Sequence, residues 1–180
     1  MKERIIVVTG EQGSGKTTRL IDIVSGLKNL GLKPCGFIAE GFWEQNKRSH
    51  FDLVDVKTGN RINYCSKTMQ PKWEKAGHFS INPAAIAFGE KILNPALAGQ
   101  DDFIVIDEIG PFELAGKGWT KAIARLLKIM PEKPMIWVVR YSLLNNVSEY
   151  FGILPRIIIQ TGIQQEGWIE EVACFIQEHK

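Results

Sequence analysis

The sequence predicts an α/β fold of three layers, with helices on both faces of a mostly parallel, five-stranded core sheet and one inserted β-hairpin. Three observations predict it. Short apolar runs rich in Val and Ile alternate along the chain with segments of helical period, the order that builds a parallel sheet between helices. A glycine-rich turn, residues 9–18, joins the first run directly to the first helical segment. Residues 50–66 break the alternation, with strand-like halves on either side of Lys57-Thr58-Gly59-Asn60, and so read as a hairpin.

The first strand is Ile5–Val8. A helix follows from about Gly15 to Leu30, with Leu20, Ile23, Val24, Leu27 and Leu30 on one stripe and Gly31 as its stop. Cys35–Ala39 is the second buried strand. The next stretch, residues 41–50, is polar and irregular around Phe42 and Trp43 and reads as a mobile loop leading into the hairpin, which sits at a sheet edge or acts as a flap. Asn82 is a good N-cap with Pro83 at the first helical position, and that helix ends near Asn94-Pro95. Phe103–Asp107, Met135–Val139 and Ile157–Gln160 complete the strands. A helix carrying Trp119, Ile123, Leu126, Leu127 and Met130 ends before Pro131, and a last one carries Trp168, Val172, Phe175 and Ile176. Each stripe, Trp168 included, reads as core-facing.

A length of 180 residues suits one substantial core, so residues 1–180 read as a single domain. The 22 basic and 20 acidic side chains leave a net charge of +2, too slight and too scattered to predict nucleic acid or an anionic membrane as a partner. Apolar runs such as Phe103–Ile106 fall far short of the roughly 20 residues that span a bilayer, and the start lacks the apolar segment of a secretory signal. Three cysteines without CxxC spacing indicate neither a disulfide frame nor a zinc site. These features predict a protein of the reducing cytoplasm; no protein partner is legible.

The turn "TGEQGSGKTT" carries the pattern Gly10-x4-Gly15-Lys16-Thr17 between a strand and a helix, which is the phosphate-binding P-loop in its required context. Gly10, Gly13 and Gly15 let the backbone turn tightly, so that N–H groups along Gly10, Glu11, Gln12, Gly13, Ser14, Gly15, Lys16, Thr17 and Thr18 can meet phosphate oxygens at a helix start. Lys16 adds a point charge for the β- and γ-phosphates, and Thr17 offers its hydroxyl to Mg²⁺.

The second signal is "DDFIVIDEIGPFE", residues 101–113, where an apolar strand runs straight into Asp107 and Glu108. Both carboxylates emerge at the carboxyl end of the strand, where open α/β sheets bind ligands. Asp107 suits a second Mg²⁺ contact and Glu108 the activation of water, work that contributes about 10²–10⁴ in rate. Arg140 ends the strand "MIWVVR", at the same sheet edge, where an arginine could stabilise charge on the γ-phosphate; a solvated strand-end charge is the alternative. Arg19 reads as solvent-facing, and His50, His78 and His179 lack metal-ligand spacing.

With "GFIAEGF", "HFDLVDVKTG", "GHFSINPAAIAFGEKIL" and above all "DEIGPFE", the chain resembles the small cancer-related nucleoside-triphosphatases of thermophilic bacteria, archaea and animals over roughly residues 4–160. The resemblance implies a P-loop fold with an extra central strand and a catalytic glutamate. It implies slow, Mg²⁺-dependent hydrolysis of ATP, GTP and other nucleoside triphosphates, and it adds Glu113 to the site, either in catalysis or as a structural residue of the strand-loop junction. The chain departs from the family at Gly41, where a more polar residue is expected, at Phe79, where tyrosine is common, and after Gln160 at "TGIQQEGW". These departures bear on nucleobase recognition.

Two other functions compete with hydrolysis. A small-molecule or nucleotide kinase would use the same phosphate site with an acceptor hydroxyl in place of water, yet no arginine-rich lid is present. A nucleotide-dependent switch or assembly factor would time a partner interaction. A guanine switch would carry Asn-Lys-x-Asp, and "NKRS" at 46–49 lacks the final aspartate.

Overall fold

Ile5 and Val7 point to one side of their strand and Ile6 and Val8 to the other, and all four are at most 1 % exposed because helices cover both sides. This is why the run reads as uninterrupted apolar sequence. A computed structural model of the chain describes residues 2–45, 47–68, 71–163 and 167–179. Strand β1 (Lys2–Gly10) leads through the glycine turn into helix α1 (Lys16–Asn29). Strands β2 (Pro34–Glu44), β3 (Lys47–Asp55), β4 (Arg61–Ser66), β5 (Glu74–Ala76) and β6 (Phe79–Ile81) follow. Then come α2 (Pro83–Ile92), α3 (Pro95–Ala98), β7 (Phe103–Ile109), α4 (Pro111–Leu114) and α5 (Thr120–Ile129). The chain continues through β8 (Met135–Arg140), α6 (Leu144–Phe151) and β9 (Ile153–Gln160) to α7 (Trp168–Gln177).

The sheet is mixed and, among the described residues, nine-stranded, in the order β5-β6-β4-β3-β2-β7-β8-β1-β9. This corrects the expectation of a five-stranded core. The five strands read from the sequence lie side by side as β2-β7-β8-β1-β9 and pair in parallel, while β3 to β6 extend the sheet with antiparallel pairs. The expected hairpin is β3 and β4, whose turn is closed by Asp55 N–H to the Asn60 carbonyl at 2.9 Å and by Asp55 side-chain bonds to Lys57 N–H and the Thr58 hydroxyl.

Residues 41–44 and 47–50 are strand rather than the loop the sequence suggested. They continue β2 and begin β3, with Phe42 opposite His50 and Trp43 opposite Arg48, and Gln45, at φ 49°, follows the end of β2. The strand was hidden because this ribbon stands clear of the core, so its pairing leaves no alternation of buried and exposed residues. Asn82 and Asn94 each cap a helix, accepting from Ala84 and Ala96 N–H at 3.0 Å; Asn94 therefore starts α3 as well as ending α2.

The core has two layers. Against one face α2, α5 and α6 pack around Phe37, Trp119 and Trp137; against the other α1 and α7 pack Leu20, Ile23, Leu27, Val172 and Ile176. Leu30, expected on the same stripe, is exposed instead, because α1 ends at Asn29 before its spacing can carry it inward. Full burial of each such aliphatic side chain favours the folded state by about 1.5–3 kcal/mol. Gly36, at φ 115°, lets β2 approach β7 so closely that an added Cβ would collide with the Val105 backbone. No helix among the described residues is long and apolar enough to cross a membrane.

Candidate functional site

β1, β7 and β8 end together, and the parallel register sets Gly10 opposite Arg140 and so brings the glycine turn beside the end of β8. Gly13 and Gly15 adopt φ 79° and 86°, left-handed values that suit glycine, and Gly15 is the residue before α1. Gly10 has no room for a side chain because Thr161 and the Ser14 hydroxyl fill that space. Ser14 Oγ lies 2.6 Å from Thr161 Oγ1, and Thr161 bonds the Thr9 carbonyl through its N–H at 2.8 Å and its hydroxyl at 3.2 Å. The end of β9 thus clamps the loop, a contribution no sequence motif announced.

Lys16 is 7 % exposed and its Nζ donates to the Glu11 carbonyl at 2.6 Å. Burial lowers its pKa; Glu108 and Asp107 oppose that shift, while Arg140 and Arg48 add to it. The side chains of Glu11, Gln12, Ser14 and Thr18 are exposed around the loop, and Thr17 is half-buried beneath it.

Phe103 and Val105 face the α1 layer, so the next residue in that alternation, Asp107, projects toward Thr17. Asp107 is fully buried: Oδ2 accepts from Ala39 N–H at 3.1 Å, and Oδ1 has no hydrogen-bond partner. Burial, reinforced by Glu108, raises its pKa to about 7, against the opposing pull of Ala39 N–H, the Thr17 hydroxyl and Lys16. The Thr17 hydroxyl faces the carboxylate without closing a bond to Oδ1. An orphaned buried carboxylate oxygen beside a threonine hydroxyl is the donor set a hard cation requires.

The register between β7 and β8 slips between Ile106 and Ile109, a bulge at the two carboxylates. Bulges re-aim side chains in this way. Glu108 Oε1 accepts from Arg140 Nε at 2.9 Å, with each side chain about one-third exposed (33 and 34 %). The two candidates are therefore joined to each other, and both charges act on Lys16.

Glu113 stands apart from the phosphate loop. Its Oε2 accepts from Gly110 N–H at 3.1 Å at the start of α4, and its carbonyl accepts from the Thr120 hydroxyl at 2.7 Å. Burial raises its pKa to about 7, and Glu108 adds to the rise. Gly118 leaves room for this carboxyl, since an added Cβ would meet Oε1 and Phe112. Its Oε1, like Oδ1 of Asp107, is buried with no hydrogen-bond partner, so both of the alternatives the sequence left open stand.

Trp168 is half-buried against the α1–α7 layer, as its helical spacing suggested, but its outer face is taken by Arg19, whose guanidinium lies 5.1 Å from the ring centroid. Arg19 is thus half-buried rather than solvent-facing. Part of "TGIQQEGW", residues 164–166, lies outside the described residues. Phe79 packs edge-on to Phe51 at 5.5 Å, a contact that uses no hydroxyl.

A phosphate loop between β1 and α1, with a parallel strand that carries Asp-Glu near its end and is separated from β1 by β8, defines the P-loop class of nucleotide-phosphate-binding α/β proteins. Within it, the chain belongs to the NTPase family, whose pattern it matches over residues 5–156. The nucleoside-triphosphatase THEP1 of Ignicoccus hospitalis is 30% identical over 168 residues, covering 92% of each chain. That of Hyperthermus butylicus is 32% identical over 139 residues, 77% of this chain and 72% of the relative. The fold is similar to the crystal structure of THEP1 from Aquifex aeolicus, with a TM-score of 0.70 at 24% identity over 96% of this chain and 99% of that one. It is also similar to the solution structure of a human cancer-related nucleoside triphosphatase, at 0.66 and 20% identity over 97% and 96%.

Proposed function

We propose that this chain hydrolyses nucleoside triphosphates to the diphosphate and phosphate, with Mg²⁺, slowly and with broad base specificity. The observation that carries this reading is the bare Oδ1 of Asp107, buried beside Thr17 and Lys16 at the mouth of the phosphate loop. Mg²⁺ would be held by Asp107 and Thr17 and, when bound, would neutralise charge on the β- and γ-phosphate oxygens. The loop amides of residues 10–18 and the start of α1 hold the phosphate chain. Lys16 exchanges its bond to the Glu11 carbonyl for one to a phosphate oxygen. Glu108 orients the attacking water and accepts its proton, and Arg140 holds Glu108 in place from the end of β8. Positioning and electrostatics do most of the work in such a reaction. The names of the relatives support the reaction class, and the unpaired thiols of Cys35, Cys65 and Cys174 are consistent with a reducing cytoplasm.

The test is phosphate release from ATP, GTP, CTP and UTP with Mg²⁺ and no acceptor. Glu108→Gln should slow release by about 10²–10⁴ while nucleotide still binds, and Lys16→Ala should remove both. Transfer to a metabolite without free phosphate would replace the hydrolase with a kinase.

A further inference from the structure

Beyond the parallel sheet, β2 and β3 run on as a two-stranded ribbon with Gly41 opposite Phe51 and Trp43 opposite Arg48. The ribbon rises from the site itself, since Gly41 is two residues past Ala39, whose N–H binds Asp107. Arg48 is half-buried, and its guanidinium lies over Gly41 in the space a side chain would fill. Phe51 and Trp43 flank it, with ring centroids 5.0 and 5.1 Å from its Cζ. Faces of this kind favour a guanidinium and fix its plane.

Arg4, Arg61 and Arg140 each meet a carboxylate within 4.0 Å, whereas among the described residues Arg48 meets none. Its charge is nevertheless felt at Lys16, together with that of Arg140. Lys16 thus feels two cations, Arg140 and Arg48, and two carboxylates, Asp107 and Glu108, so that three cations face two carboxylates around it, and Arg140 is already engaged with Glu108. A held, unpaired guanidinium facing an excess of positive charge is stabilised by the arrival of an anion. Gly41, a departure from the family pattern, is what makes its seat.

We propose that Arg48 is a ligand of the γ-phosphate and stabilises its charge during transfer, carried to the site by the β2–β3 ribbon. The inference rests on the hydrolase reading above. In that reaction the water oxygen forms the new bond to phosphorus and its proton passes to Glu108. The bond to the bridging oxygen breaks, and its electron pair leaves with the diphosphate. The Arg48 guanidinium donates to the non-bridging oxygens of the group in flight, as arginines do in other phosphoryl transfers.

The experiment compares the parent with Arg48→Ala, Arg48→Lys and Gly41→Ala. Gly41 does not occupy the left-handed region, so alanine there adds no backbone strain; its Cβ displaces the flexible guanidinium and presses on the edge of the Phe51 ring, 3.0 Å away. We measure kcat and KM with Mg²⁺-ATP, and affinities for ADP and for a non-hydrolysable triphosphate analogue. The expected result is a fall in kcat of about tenfold or more for Arg48→Ala and Gly41→Ala, with ADP affinity within about twofold of the parent. Arg48→Lys recovers part of the loss, because a point charge lacks the planar fork. Unchanged kcat and triphosphate affinity in Arg48→Ala and Gly41→Ala would overturn the inference, and so would a loss of ADP affinity as large as the loss of kcat. Should the parent release no phosphate, the hydrolase reading fails. Arg48 is then judged by whether Arg48→Ala erases the preference for triphosphate over diphosphate.

Discussion

Arg140 Nε donates to Glu108 Oε1 at 2.9 Å, joining the ends of two adjacent parallel strands, β8 and β7, beside the phosphate loop. As a partly exposed ion pair it adds little to stability, about 0–1 kcal/mol. Its effect is on direction, because it holds a carboxylate on a bulge that would otherwise be free to turn.

If Arg140 works through Glu108, the two substitutions are not additive. Arg140→Gln should lower kcat about tenfold in the parent and much less in a Glu108→Gln background, a coupling of about 1 kcal/mol or more. A double-mutant cycle on kcat measures it. Full additivity would instead mean that Arg140 acts on the phosphate by a separate route.

Asp107 should govern the response to Mg²⁺. With ADP present, Mg²⁺ should raise the melting temperature of the parent, since a ligand bound only by the folded state adds RT ln(1 + [L]/Kd). Asp107→Asn should lose most of that rise while keeping its stability without metal, because the amide still accepts from Ala39 N–H and no buried charge remains. An undiminished Mg²⁺ shift in Asp107→Asn would remove this residue from the cation site.

Glu113 makes the fold sensitive to pH. Its folded pKa of about 7 lies above the ordinary 4.5, so between these values the folded chain holds a proton that the unfolded chain has lost. Its contribution is therefore complete below about pH 4.5 and is lost as pH rises to about 7, at about 1.4 kcal/mol per pKa unit. Glu113→Gln, neutral throughout, should lose less stability than the parent between pH 5 and pH 8. Asp107 shifts in the same direction in both proteins, so the difference isolates Glu113. Urea midpoints at the two pH values give the answer; parallel slopes would contradict it.

Gly36 and Gly59 both have positive φ, 115° and 74°, yet only Gly36 has backbone against the position of a Cβ. Gly36→Ala should destabilise the protein by about 2 kcal/mol or more through strain and the forced separation of β2 from β7. Gly59→Ala, in an open turn, should cost about 1 kcal/mol. Equal shifts in the two urea midpoints would show that the close approach at Val105 is unimportant.

The parallel strands, the phosphate loop and the Asp107-Glu108 pair were legible because each leaves a local signature: an apolar run, fixed glycine spacing, charges directly after a strand. What was hidden depends on residues far apart in the chain. Thr161 reaches Ser14 only because β9 pairs with β1, and Ala39 binds Asp107 only because β2 pairs with β7. The ribbon at 41–50 misled for another reason, since its side chains pack on one another, Phe42 on His50 at 4.6 Å and Arg48 on Trp43, outside the core whose periodicity reveals strands. Glu113 carried no signal of its own, because its surroundings are set by Gly110 and Gly118, one three residues before it and the other five after.

The place of β1 in the sheet also sets an order of events during synthesis. It precedes both of its neighbours in the chain and is held in the finished sheet between β8 and β9, with Ile5 opposite Met135 and Thr9 opposite Gln160. Its neighbours β8 and β9 are made only after β2 to β7, so the glycine turn that ends β1 stays without its frame, and without the Thr161 clamp, until they follow. Pairings this distant in sequence form late and slowly. The glycine turn therefore reaches its final shape only once β8 and β9 have closed around β1, however early its own residues are made.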